Sequence, residues 1–280
     1  MFVHPAMGMS ELWTPGCRNW PVTGREGPLI PDKKSNRVYF AHYPLSHPAW
    51  LVIRRAGTQI KAAASLHFHG ALLDIGCGEK WKNDLVGHYV DQYIGVDHAE
   101  TLHDPSSVDR IGSAYALPAE DGEFDCVLCT SVLEHLEEPQ VALAEAYRVL
   151  KPGGTAVFTA PQIWHLHEEP RDFFRFTCYG LKHLFIKAGF EPIEIKALSG
   201  FWTTFGSELN YYLNGFKWGI FRPFMSLWTA INNLIFLALG KNQHNEKWTW
   251  MYLVIAHKSA PLTSKSQKNV QRRKANRIPD

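Results

Sequence analysis

Short apolar runs that end on acids or glycine turns, alternating with stretches of helical period, set the plan of this chain. Ala71-Leu72-Leu73-Asp74-Ile75-Gly76-Cys77-Gly78 reads as a strand buried on both faces that runs into an acid and a tight turn. Gln92-Tyr93-Ile94-Gly95-Val96-Asp97 repeats the pattern about twenty residues on. Arg110–Ala114 is a weak third strand, Phe124–Cys129 a clear fourth and Thr155–Thr159 a fifth. Gly189–Lys196 and Trp250–His257 give a sixth and a seventh. Helices fall at 49–66, at the stripe Val141, Leu143, Ala144, Tyr147, Val149, Leu150, and at 178–188 behind the N-cap Thr177. Lys151-Pro152-Gly153-Gly154 ends the second of these. Strands alternating with helices predict an α/β fold, a doubly wound, mostly parallel seven-stranded sheet.

In such sheets a ligand binds beyond the carboxyl ends of the strands. Glycines after the first strand let the backbone approach it, and Asp74 suits a ligand bearing amines or hydroxyls. Asp97 stands where a carboxylate takes both hydroxyls of a ribose. A nicotinamide enzyme would place a third glycine three residues after Gly78, where this chain has Trp81.

Taken together, LLDIGCG, YIGVD, ALPAEDGEFDCVLCTSVLEHL and RVLKPGG resemble the class I S-adenosylmethionine-dependent methyltransferases, in particular those acting on small molecules, lipids and glycans. The resemblance covers residues 65–197 and resumes at 249–257. It implies a Rossmann-like methyltransferase fold with S-adenosyl-L-methionine as cofactor. Asp74 would meet the amino end of the methionine moiety, while Gly76, Cys77 and Gly78 let the cofactor pass. Asp97 would bind the ribose, and His98 would lie beside the adenine. Ser113 and Ala114 would read the adenine edge, Ser113 where the family often has Asp. Thr130 would lie near the methionine chain; Glu134 would be structural or close to the cofactor, and His135 would reach a ligand or solvent.

The loop after the fifth strand, Gln162 to Thr177, is dense in His, Arg and carboxylates. Similar H…P-R-D-x-x-R-F-T runs border the acceptor pocket in the resembled group. This implies substrate contacts for Arg171, Asp172 and Arg175, alongside His135; the alternative is a salt-bridged brace. His165 and His167 are the candidate bases for an acceptor that must lose a proton. His165-x-His167 with Glu168 is also weighed as a metal site and set aside, because sulfonium methyl transfer needs no metal in most such enzymes.

Five regions follow. They are an irregular arm at 1–45, a core at 46–197, an aromatic-rich insert at 198–248, a last core strand at 249–257, and a basic, disordered tail at 258–280. The tail holds seven Lys or Arg against Asp280, which leaves the preceding residues at −4 within a net charge of +2. An acidic body with no N-P-P-[YF] run argues against nucleic-acid modification. Phe201 to Trp228 holds ten aromatics, and Pro223–Gly240 is uncharged over 18 residues. On a helical wheel Arg222, Ser226, Thr229 and Asn233 share a narrow face opposite Phe224, Trp228, Ile231 and Ile235. That amphipathic helix is a lid, an interfacial membrane contact or a dimer surface. The first two favour an apolar or lipid-linked acceptor. The five cysteines have no framework spacing; Cys126 and Cys129 would face opposite sides of one strand. With no signal-peptide pattern, a cytoplasmic protein peripheral to the inner face of a membrane is expected. A degenerate methyltransferase fold serving as a membrane scaffold is the alternative.

Overall fold

The computed structural model describes residues 43–260 apart from 81, 102–103, 217–218 and 242–244. Most of the N-terminal arm, Cys17, Trp81 and nearly all of the basic tail therefore lie outside the described residues. The strands are β1 (Ala71–Ile75), β2 (Gln92–Asp97), β3 (Arg110–Ile111), β4 (Phe124–Thr130), β5 (Leu150–Pro161), β6 (Ile193–Ala197) and β7 (Met251–His257). They form one sheet in the order β3-β2-β1-β4-β5-β7-β6. β1 to β5 run parallel, and β7 runs antiparallel to both β5 and β6.

Helix α1 (Trp50–His67) lays Val52, Ala56, Ile60 and Ala63 on one face of the sheet. Helices α3 (Pro139–Val149) and α4 (Cys178–Lys187) cover the other through Leu143, Val149, Leu181 and Phe185. Thr177 caps α4, its hydroxyl accepting from the Gly180 amide at 3.1 Å. Cys126 packs with the α1 layer and Cys129 with the opposite one, so the pleat separates the two sulfurs as the pattern predicts.

Among the described residues, the crossover from β1 to β2 contains only α2 (Asn83–Val86) and one 3₁₀ turn. Two elements differ from the sequence expectation. The third strand shrinks to two residues. The fifth lengthens backwards through Lys151-Pro152-Gly153-Gly154, as Leu150 pairs with Phe124 ahead of a register shift.

The insert between β6 and β7 forms α5 (Phe201–Asn214) and α6 (Arg222–Leu239), which pack on each other and on α1. Their seam is polar. Asn210 donates to Asn233 at 2.8 Å, Asn232 donates to Asn210 at 2.6 Å, and Asn233 donates to the Leu45 carbonyl at 2.6 Å. Gly206 lets the helices close up, since a Cβ there would meet the Phe236 ring at 2.4 Å. The apolar side faces outward, with Phe224 70% exposed, Leu227 60%, Leu234 52% and Ile235 50%. Separated faces were legible on the wheel, but their direction is the reverse of that in a water-soluble helix.

Candidate functional site

Chain connections leave β1 in one direction and β4 in the other. The crevice between their carboxyl ends opens into a cavity of about 860 Å³. Gly76, Cys77 and Gly78 line one side. Gly76 requires its left-handed backbone (φ +67°), and a Cβ there would meet Val132 Cγ2 at 2.4 Å. Asp97 ties this turn to the end of β2, accepting from the Gly78 amide at 2.7 Å and from the His98 amide at 2.7 Å. A carboxylate has about four acceptor positions, so two hydroxyls can still bind it.

Asp97, His98, Ser113, Ala114 and Thr130 all line the cavity. The Ser113 hydroxyl accepts from the Tyr115 amide at 3.1 Å. Burial, then the charges of Asp74 and Asp97, push the Cys77 thiol up to about 12, so it stays protonated. Ser131, at the end of β4, holds a left-handed backbone (φ 54°), as does Glu168, and both face the cavity. Such strain persists where the surroundings fix it, and it gathers at ligand clamps.

Asp74 is the exception among the expected cofactor residues. It is fully buried and is not on the cavity wall. Tyr93 donates to its Oδ2, and the Lys82 ammonium lies 3.1 Å from the same oxygen. Lys82 also donates to the Gly76 carbonyl at 3.1 Å, and it is this lysine that faces the cavity. Burial raises the Asp74 pKa, with Lys82 and Tyr93 opposing. Lys82, and not Asp74, thus meets the cavity on this side. The charged stretch that holds it resembles any solvated loop, so the sequence carried no signal of it.

The loop after β5 divides its residues. His135 and Arg171 line the cavity, and Arg171 reaches Glu100 at 2.8 Å. Asp172 and Arg175 do not, forming the brace instead. Arg175 Nη1 and Nη2 hold the Asp172 carboxylate at 2.6 and 2.8 Å, and Arg175 also donates to the carbonyls of Trp164 and His165. Neither candidate base lines the cavity. His165 turns to Glu208 of α5, with Nδ1 3.2 Å from Oε2, and packs on Tyr211. His167 lies beneath His135, their ring centroids 4.9 Å apart. An H-x-H spacing in an irregular loop gives no direction, which is why the sequence paired these two residues. Glu168 also lines the cavity, as do Thr159 and Met251, which the sequence did not single out.

The strand order, the glycine turn and the acid behind β2 define a class I S-adenosylmethionine-dependent methyltransferase domain. Residues 73–158 match the family described as "Methyltransferase domain". A probable S-adenosylmethionine-dependent methyltransferase of Mycolicibacterium smegmatis is 32% identical over 147 residues, half of this chain and 51% of that protein. A ubiquinone biosynthesis O-methyltransferase of Methylococcus capsulatus is 29% identical over 111 residues, 36% of this chain and 46% of that one. The chain thus spans about half the length of these relatives or less. Among solved structures, the [4+2]-cyclase SpnF superposes with a TM-score of 0.53 at 21% identity, over 76% of this chain and 83% of the other. This likeness concerns the fold.

Proposed function

We propose that the chain transfers a methyl group from S-adenosylmethionine to an apolar, lipid-linked acceptor while resting on a membrane surface. The site fits the cofactor: a left-handed glycine turn on the cavity wall, with no room for a side chain at Gly76, is tied to a carboxylate with acceptor positions to spare. When bound, S-adenosylmethionine supplies an electrophilic methyl carbon on a sulfonium. Asp97 would hold the ribose hydroxyls, Gly76 to Gly78 the nucleoside backbone, and Ser113 and Ala114 the adenine edge. Thr130 would flank the methionine chain, and His98 the adenine. Arg171 and His135 would border the acceptor. Holding two reactants at near-attack distance supplies much of the rate of such a displacement.

The outward apolar face of α5 and α6 is the observation that carries the membrane part. A polar, hydrogen-bonded seam with apolar side chains outside is the arrangement of helices that face lipid. Trp202, Tyr212, Trp228 and Trp248 are all at least 36% exposed on the insert, as suits a headgroup boundary. No helix among the described residues is long and apolar enough to cross a membrane, which favours lying in the interface. None of the described residues of α5 or α6 lines the cavity, so the lid reading has no support. Glu208 and Tyr211 of α5 nonetheless touch the loop whose continuation borders the cavity.

Lys82 on the Asp74 carboxylate is the observation that favours a degenerate scaffold instead. Isothermal titration calorimetry with S-adenosylmethionine decides between the two. The wild type is expected to bind. Asp97→Ala, which removes charge-assisted hydrogen bonds, is expected to lose about 2–3 kcal/mol, on the order of a hundredfold. A wild type that binds no S-adenosylmethionine leaves the scaffold.

A further inference from the structure

At the edge of the cavity, Glu134, His135 and His167 each direct a ligand atom to one place, all within 4.8 Å of one another. Glu134 is fully buried, and neither of its carboxyl oxygens has a hydrogen-bond partner. An ionised carboxylate left so would be costly. Such a group needs a proton or a cation.

The two imidazoles are held in matching tautomers. His135 Nδ1 lies 2.6 Å from the Arg171 carbonyl oxygen, which can only accept, so Nδ1 carries the hydrogen. His167 Nδ1 lies 3.3 Å from Asp172 Oδ2 and 3.3 Å from the His165 carbonyl, both acceptors. The Arg175 donor near it is farther, at 3.5 Å, and already serves Asp172 and His165 at shorter range. Each ring is therefore left with a bare Nε2. One nitrogen donating to a carbonyl or carboxylate while the other presents its lone pair is how ligating histidines are oriented. Glu168, half-exposed on the cavity wall, brings Oε2 to 3.6 Å from His135 Nε2.

We propose that Glu134, His135 and His167 bind a divalent transition-metal ion at the cavity's edge, with Glu168 closing over it. Two imidazoles with carboxylates favour zinc, manganese or iron over magnesium. Bonds of about 2.0–2.2 Å would require the donors to draw in by roughly an ångström or less. This pairing differs from the H-x-H site weighed in the sequence: the rings of His165 and His167 lie 6.5 Å apart, farther than those of His135 and His167. Resting on the methyltransferase reading, the ion would sit where an acceptor hydroxyl enters and would make it more acidic. Its proton passes to water, and the oxygen lone pair forms the bond to the methyl carbon as the carbon–sulfur bond breaks to a neutral thioether.

The test is Co²⁺ and Zn²⁺ titration of the full chain after EDTA treatment and dialysis. One Co²⁺ per chain is expected, with visible absorption that Zn²⁺ removes. His135→Ala and His167→Ala are each expected to weaken uptake at least about tenfold, whereas His88→Ala, at an exposed histidine, leaves it unchanged. Glu134→Gln joins them if circular dichroism shows it folded; His135→Gln serves should His167→Ala not fold. No stoichiometric uptake, or uptake that survives the His135→Ala/His167→Ala double change, overturns the site. S-adenosylmethionine calorimetry on the same wild-type sample separates the two readings: Co²⁺ uptake without S-adenosylmethionine binding leaves the metal site standing and removes the methyltransferase.

Discussion

Changing Phe224, Leu227 and Ile235 together to Glu should reduce binding to phosphatidylglycerol vesicles by about a thousandfold in a flotation assay. All three are at least half exposed on the outer face of α6, so the variant should fold as the wild type does. Moving one large apolar side chain out of water is worth about 1.5–3 kcal/mol, and part of that is already gained by packing on the protein. About 1 kcal/mol each, plus the cost of setting carboxylates against anionic lipid, comes to roughly 4 kcal/mol. The apolar contribution should resist salt, while attraction between basic residues and anionic lipid should fade over a Debye length of about 8 Å near 0.15 M. A wild type that ignores vesicles but dimerises, with the triple change making it monomeric, would sink the membrane reading and make this face a subunit interface.

The insert also shows where reading a sequence stops. A period of 3.6 separates Thr229 and Asn233 from Phe224, Trp228 and Ile231, but it is silent on which set meets the rest of the chain. Water normally decides that, and here the buried set is polar because Asn210, Asn232 and Asn233 satisfy one another. The glycine turn and Asp97 were legible for a different reason. A strand buried on both faces, an obligatory left-handed turn and an acid one βαβ unit later leave little conformational choice. Cys126 and Cys129 were legible from the pleat alone. The irregular loop after β5 has no period, so Asp172 and Arg175 could be named but not told apart as brace or substrate contact. His135 and His167 meet across 32 positions through tertiary packing alone.

Lys82 is the residue on which the cofactor site turns, and Lys82→Met should lower the free energy of unfolding by about 3–5 kcal/mol in urea denaturation. The lysine side chain is 3% exposed and the Asp74 side chain is fully buried. Removing one partner of a buried ion pair leaves the other as an uncompensated charge. Asp74 Oδ1 already has no hydrogen-bond partner, so only Tyr93, on Oδ2, would remain to hold the carboxylate. The Lys82→Met/Asp74→Asn double change should recover most of the loss, since replacing both members of a buried pair is often near neutral. Unchanged stability within about 1 kcal/mol in the single variant would show that the pair does not hold the turn. The same variant also tests how the site receives its ligand. With Lys82 gone, Asp74 and the Gly76 carbonyl are left as acceptors for the ammonium of the methionine moiety. Saturating S-adenosylmethionine should then stabilise Lys82→Met more than it stabilises the wild type. An equal gain in both would mean that the ammonium binds elsewhere and that Lys82 is purely a structural clamp.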